Sequence, residues 1–254
     1  MRIAGAQIPC SKAIDQNINT IKQAIDWAQV KECDFLVTPE GSLSGYWPGF
    51  DIEATVNGLA VIENYAKVKN VGLCLGTLWV ETEDIGEIRR NQIRFYDKQG
   101  NFLGATNKTH GVIPDETFLS HNLDKGVPVH TLIGDSKTGR EHLRAVGLIC
   151  NDMWPHGTES IIHRIKDQDI DILIHSSNGA RGNPRDGLYD AWHNAHLRMT
   201  SHNSQIPIIT VDNSYHMDGG FYDGPTSSPS GIVIDGEWAK QVSRKGTQYF
   251  YWDF

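Results

Sequence analysis

The sequence predicts an α/β fold, a mixed sheet with helices layered against it. Apolar runs of strand length alternate with segments whose apolar residues recur at spacings of three and four. Two of the runs are joined by a short polar turn, which brings antiparallel pairing into the sheet, and the alternation resumes in the second half. No fixed-period repeat or Ser/Pro-rich linker divides the 254 residues, so one domain over 1–254 is expected.

The elements follow in order. Met1 to Ile8 alternates as a strand, and Ile14, Ile18, Ile21, Ile25 and Ala28 lie on one face of a helix. Phe35–Val37 is a second strand, about 51–69 a second helix, and Val71 to Val80 a long apolar run. Gln92–Tyr96 and Phe102–Ala105 flank Asp97-Lys98-Gln99-Gly100-Asn101, the turn of a hairpin. Further strands are expected at Leu143–Ile149, Ile172–His175, Ile206–Val211 and Gly231–Ile234, with helices near 157–167 and 187–204. In the last helix Leu188, Ala191, Trp192, Ala195 and Met199 form one apolar face, and Trp192 and Met199 read as core residues. Gly219 to Ser230 reads as a long loop.

Composition narrows the function. Hydrophobic residues make up 39% and charged residues 21%, which favours neither a disordered nor a membrane protein. A net charge of −8 argues against a nucleic-acid surface, which carries a basic stripe. The most apolar window is ten residues, too short to span a bilayer, and the N-terminus reads as a strand rather than a signal peptide. Cys10, Cys33, Cys74 and Cys150 form no Cys-x-x-Cys pair, so reduced thiols in the cytoplasm are expected.

Three strand-like runs end in residues that carry chemistry. Ala145-Val146-Gly147-Leu148-Ile149 ends at Cys150, Phe35-Leu36-Val37-Thr38-Pro39 at Glu40, and the run from Phe102 at Lys108. In open α/β sheets reacting groups collect at the carboxyl ends of strands, where loops converge on a cleft. An ordinary thiol is only a few per cent thiolate at neutral pH, so a carboxylate that takes its proton activates it, and a lysine beside it stabilises an oxyanion. Alone, Cys150 would read as a packing residue and Glu40 or Lys108 as surface charges; together they make a reactive set.

Other chemistries lack their signatures. His193, His196 and His202 share a helix, but nine residues rotate by about 900°, which sets His202 opposite His193. Gly41-Ser42-Leu43-Ser44-Gly45 has leucine where a nucleophile elbow needs serine. No phosphate loop, dinucleotide fingerprint or His-Glu-x-x-His is present, so no cofactor and no metal are expected.

Thr38-Pro39-Glu40-Gly41, Asn107-Lys108-Thr109-His110 and Gly147-Leu148-Ile149-Cys150-Asn151-Asp152 resemble, in order, the three motifs of the nitrilase superfamily of carbon-nitrogen hydrolases. The likeness extends to Ala4-Gly5-Ala6-Gln7, to Arg198, Asn203, Gln205 and Pro207, and to the loop before Gly231. It implies a four-layer αββα sandwich assembled as a homodimer or larger homo-oligomer. It also implies a glutamate base at Glu40, a lysine at Lys108, a cysteine nucleophile at Cys150 and a supporting acid at Glu116, eight residues after the lysine.

Tyr46, Asn151, Trp154 and Asn178, close to these positions, are candidate substrate-binding residues. The tract from Cys150 to Pro155 is similar to that of N-carbamoyl amino acid amidohydrolases and some aliphatic amidases, with His156 where glutamate often follows. Three readings stand: hydrolysis of a small linear amide or carbamoyl compound, conversion of a nitrile through a thioimidate, and a non-catalytic binding or regulatory protein. The partner in the first two is a small molecule, with no nucleic acid and no membrane.

Overall fold

Twelve strands and four helices are found among the described residues of the computed structural model, 1–83, 86–112, 117–121, 126–135, 139–155, 157–179, 186–214 and 225–254. Glu116, His156 and residues 219–224 of the long loop lie outside them. The first half supplies β1 (Arg2–Gln7), α1 (Ile14–Val30), β2 (Phe35–Val37), α2 (Ile52–Lys69), β3 (Gly72–Glu83), β4 (Gly86–Tyr96) and β5 (Phe102–Asn107). The second supplies β6 (Val129–Ile133), β7 (His142–Ile149), α3 (Ile161–Ile165), β8 (Ile172–Ser176), α4 (Asp186–Ser204), β9 (Ile208–Val211), β10 (Gly231–Ile234), β11 (Glu237–Gln241) and β12 (Gln248–Asp253).

These strands make two six-stranded mixed sheets, ordered β12-β1-β2-β3-β4-β5 and β11-β10-β9-β8-β7-β6. Each has a parallel trio, β1-β2-β3 or β7-β8-β9, flanked by antiparallel strands. Because strand side chains alternate, each sheet has two apolar faces to cover. Ile3, Phe35, Val37, Cys74 and Phe95 from the first sheet meet Ile149, Ile172, Ile174, Ile209 and Ile232 from the second. On the outer face of the first sheet Ala4, Ala6, Leu36 and Leu73 receive Ile21, Ile25, Leu59 and Ile62 of α1 and α2. Val146, Leu148, Leu173 and Ile208 receive α3 and Leu197 of α4. The layers are therefore αββα, as the resemblance implies.

Local chemistry sets the helix ends. Asp51 caps α2 by accepting from the Ala54 N–H at 2.9 Å, and Asn70 closes it in the left-handed conformation, φ 56°. β12, the last strand, pairs with β1 along its whole length, from Arg2 opposite Asp253 to Gln7 opposite Gln248. The Phe254 N–H also donates to the Met1 carbonyl at 2.8 Å.

One sequence expectation is reversed. The apolar stripe of α4 faces outward: Leu188, Trp192 and Met199 are 72%, 39% and 51% exposed, while His193, His196, Leu197 and Ser201 face in. Periodicity identifies a stripe but not what covers it. Three strands, β6, β11 and β12, add to those expected. No helix among the described residues is long and apolar enough to cross a membrane.

Candidate active site

β2 ends at Val37, and Thr38 turns the chain by pairing its hydroxyl with Ser42 at 2.7 Å and accepting from the Gly76 N–H at 3.1 Å. Position 76 must lack a side chain, because a Cβ there would sit 2.0 Å from the Pro39 carbonyl oxygen. The turn carries Glu40 inward, where it is 1% exposed. One oxygen, Oε1, accepts from Lys108 Nζ at 2.7 Å and from Asn91 Nδ2 at 2.6 Å. Lys108 follows β5 and is equally buried; its own N–H donates to the Asn91 carbonyl at 2.8 Å. Two buried charges persist together because each compensates the other and the carboxylate is further hydrogen-bonded.

Cys150 stands where β7 gives way to a short 3-10 turn, with φ +45°, a left-handed conformation that costs a non-glycine residue energy. Its thiol is pushed up to about 12, first by burial and then by the Glu40 charge, with Lys108 and a Ser177 hydrogen bond acting the other way. At neutral pH the sulfur holds its proton. Nucleophilic attack from this thiol therefore needs a base beside it.

Two further side chains hold the strained turn. Asp152, 3% exposed, accepts from the Thr109 and His110 N–H groups at 3.0 and 2.7 Å and from the Ile149 N–H at 3.1 Å. It ties the Lys108 segment to the Cys150 segment. His175 Nε2 lies 3.3 Å from the Cys150 carbonyl, which can only accept, so this nitrogen carries the proton and Nδ1 accepts from the Thr210 hydroxyl at 2.8 Å. Burial lowers His175 to about 3, consistent with that neutral ring.

A cavity of about 300 Å³ opens beside Cys150, with Asn151, Trp154, Asn178, Tyr189, Trp192 and His193 among its walls. Of the four substrate-binding candidates, Asn151, Trp154 and Asn178 therefore share this cavity. Asn178 Nδ2 also donates to the Glu40 carbonyl at 3.2 Å, and Asn213 Nδ2 donates to Asn178 Oδ1. Tyr46 is not among the residues that line this cavity, but its ring lies against Lys108, whose Nζ is 5.8 Å from the centroid, and it packs near Phe50, Leu78 and Leu119. A larger depression, about 450 Å³, surrounds Cys33, Asp34 and Lys98, but Lys98 is committed there to Asp34 and Asp135. Among the described residues no group of three or more His, Cys, Asp or Glu is placed to hold a metal ion.

Sequence reasoning passed over Asn91, Asp152, His175, Tyr189 and the pocket position of Trp192. Asp152 bonds chiefly to backbone of a distant segment, and His175 to one distant carbonyl and one distant hydroxyl, which no local pattern reveals. His175 alone left a trace, as a polar residue inside an apolar strand.

An αββα sandwich that gathers a cysteine, a buried glutamate and a buried lysine at its strand ends holds the groups that a cysteine-dependent hydrolase uses. The chain belongs to the carbon-nitrogen hydrolase family, whose model matches residues 2–240, and so to the nitrilase superfamily. Among solved structures it resembles an amidase from Nesterenkonia sp. AN1. One form of that enzyme shows the Michael addition of acrylamide at the active-site cysteine; it is 17% identical with a TM-score of 0.76, covering 100% of this chain and 93% of that one. The NitN amidase structure from the same source is 18% identical, with a TM-score of 0.76 and coverage of 100% and 92%. The glutamine-dependent NAD+ synthetase from Acinetobacter baumannii is 18% identical with a TM-score of 0.75, covering 98% of this chain but 44% of that longer one. No curated protein matches the sequence.

Proposed function

We propose that this carbon-nitrogen hydrolase cleaves a small linear amide or N-carbamoyl compound through a thioester on Cys150. The buried Lys108–Glu40 pair beside the protonated Cys150 thiol carries the reading. Glu40 takes the thiol proton as sulfur attacks the carbonyl carbon, and Lys108 with the Asn151 N–H receives the oxyanion. Glu40 returns the proton to the nitrogen as the C–N bond breaks and ammonia or an amine leaves. Water then gives a proton to Glu40 and attacks the thioester; the acid departs and the Cys150 thiolate regains the proton. Glu116 is assigned to orient Lys108, and Asn178 to anchor the Glu40 turn at the cavity.

In a mutant form of the resembling amidase the active-site cysteine has added to the alkene of acrylamide, which leaves the amide intact but supports room for a small amide beside a cysteine on this fold. The outward stripe of Leu188, Ala191, Ala195 and Met199 on α4 supports a homodimer seam. None of the four cysteines is in a disulfide, in keeping with a cytoplasmic setting. The test is ammonia release from small amides, carbamoyl amino acids and nitriles, with Cys150→Ala as control. Turnover of amides that vanishes in the variant supports the reading; turnover of nitriles alone, or full turnover by the variant, overturns it.

A further inference from the structure

The cavity wall on the Cys150 side is built from rings. Trp154, on the turn that begins at Cys150, has its centroid 5.1 Å from Trp192 at 52° and 4.6 Å from His193 at 36°. Tyr189 stacks on His193 at 6.3 Å and 27°. Trp154 is 7% exposed, as a packed ring would be, while Trp192 and Tyr189, 39% and 49% exposed, line the cavity at the start of α4 and share their open surface between it and the outer face of the helix. Large rings left uncovered around a nucleophile's cavity offer stacking surface to a ligand.

The described polar walls are neutral. Asn151, Asn178 and Ser227 can orient an amide, and none of the described lining residues is acidic or basic apart from His193. Burial holds His193 below the ordinary histidine range, and its Nδ1–H donates to the Ser227 carbonyl, so it too presents a neutral ring. The described walls thus supply no charge to pair with a carboxylate or an ammonium group.

The reaction fixes the direction of the substrate. Glu40 must reach the departing nitrogen, whereas Cys150 keeps the acyl carbon. Cys150 and Trp154 line the cavity and Glu40 does not, so the acyl chain extends over the rings while the nitrogen points toward Glu40. A volume of about 300 Å³ lies at the small end of ligand pockets, enough for a one- or two-ring acyl group.

We infer that the substrate is the amide of an aryl-bearing short-chain acid, an arylacetamide in type, whose ring is held against Trp154, Trp192 and Tyr189. This rests on the thioester reading above, and the experiment separates the two. Ammonia release is measured for phenylacetamide and indole-3-acetamide, for acetamide and propionamide, and for betaine amide, whose quaternary ammonium would use the same rings by cation–π attraction. The aryl amides are expected to exceed propionamide in kcat/KM by about tenfold or more, the scale on which an apolar pocket discriminates. Trp192→Ala and, independently, Tyr189→Ala should each reduce that aryl-to-propionamide ratio. Turnover of small amides without an aryl preference, a preference for betaine amide, or a ratio unmoved by both variants overturns the inference and leaves the amidase reading standing. Ammonia from none of the amides overturns the inference, and if carbamoyl amino acids release none either, the thioester reading falls with it.

Discussion

Asp152→Asn separates the role of Asp152 as a brace from that of a residue that merely fills space. The carboxylate receives three backbone N–H groups, two at Oδ1 and one at Oδ2, in a site 3% exposed. An asparagine of the same shape keeps one acceptor. If that oxygen faces Thr109 and His110, each of those bonds falls from charge-assisted to neutral strength, a loss of about 1 kcal/mol apiece. The Ile149 N–H then meets an NH2 group and is left buried without an acceptor, at about 1–3 kcal/mol. The expected destabilisation is about 3–5 kcal/mol, a large part of the stability of a typical domain. Urea unfolding at pH 7 reads it, and kcat/KM at a temperature where the variant stays folded reads the loosened link between Lys108 and Cys150. A loss below about 1 kcal/mol together with unchanged kcat/KM would refute the brace.

The remaining predictions concern the base, the turn and pH. Glu40→Gln should cut kcat by about 10²–10⁴-fold while leaving the protein folded by circular dichroism; a smaller loss would remove Glu40 from proton transfer. Gly76→Ala forces the Pro39 carbonyl to move and should cost about 1–3 kcal/mol by thermal unfolding along with activity, whereas a neutral result would show that the turn has slack. His130 and His175 are held by burial at about 4 and about 3, below their ordinary 6.5, so the unfolded chain binds more protons between those limits. Their contribution is therefore complete above about pH 6.5 and is lost as pH falls, by about 2 kcal/mol each between pH 7 and 5. Urea midpoints across that range should drop, and His130→Gln should flatten the drop; an unchanged slope would count against a neutral buried His130.

Glu40, Lys108 and Cys150 were legible because each ends an apolar run, and strand ends gather around one cleft. The motif order added their grouping and the αββα layers, which periodicity alone left at a mixed α/β class. What stayed hidden has a common cause. The bonds of Asp152 reach backbone about forty residues away, and the supports of Cys150 include His175 on the neighbouring strand. β6, β11 and β12 are short or polar strands that owe their conformation to pairing partners rather than to their own pattern. The reversed face of α4 shows the limit from the other side: its stripe was read correctly as a stripe and wrongly as core.

The pairing of β12 with β1 has a kinetic meaning. The sheet that carries Glu40 and Lys108 takes its edge strand from residues 248–253, some 240 positions after β1. During synthesis β1 waits with one edge open while the whole second sheet is made, a non-local closure of the kind that slows folding and exposes a strand to wrong partners. A chain clipped before Gln248 would leave that edge bare, and loss from solution by aggregation would precede any loss of chemistry.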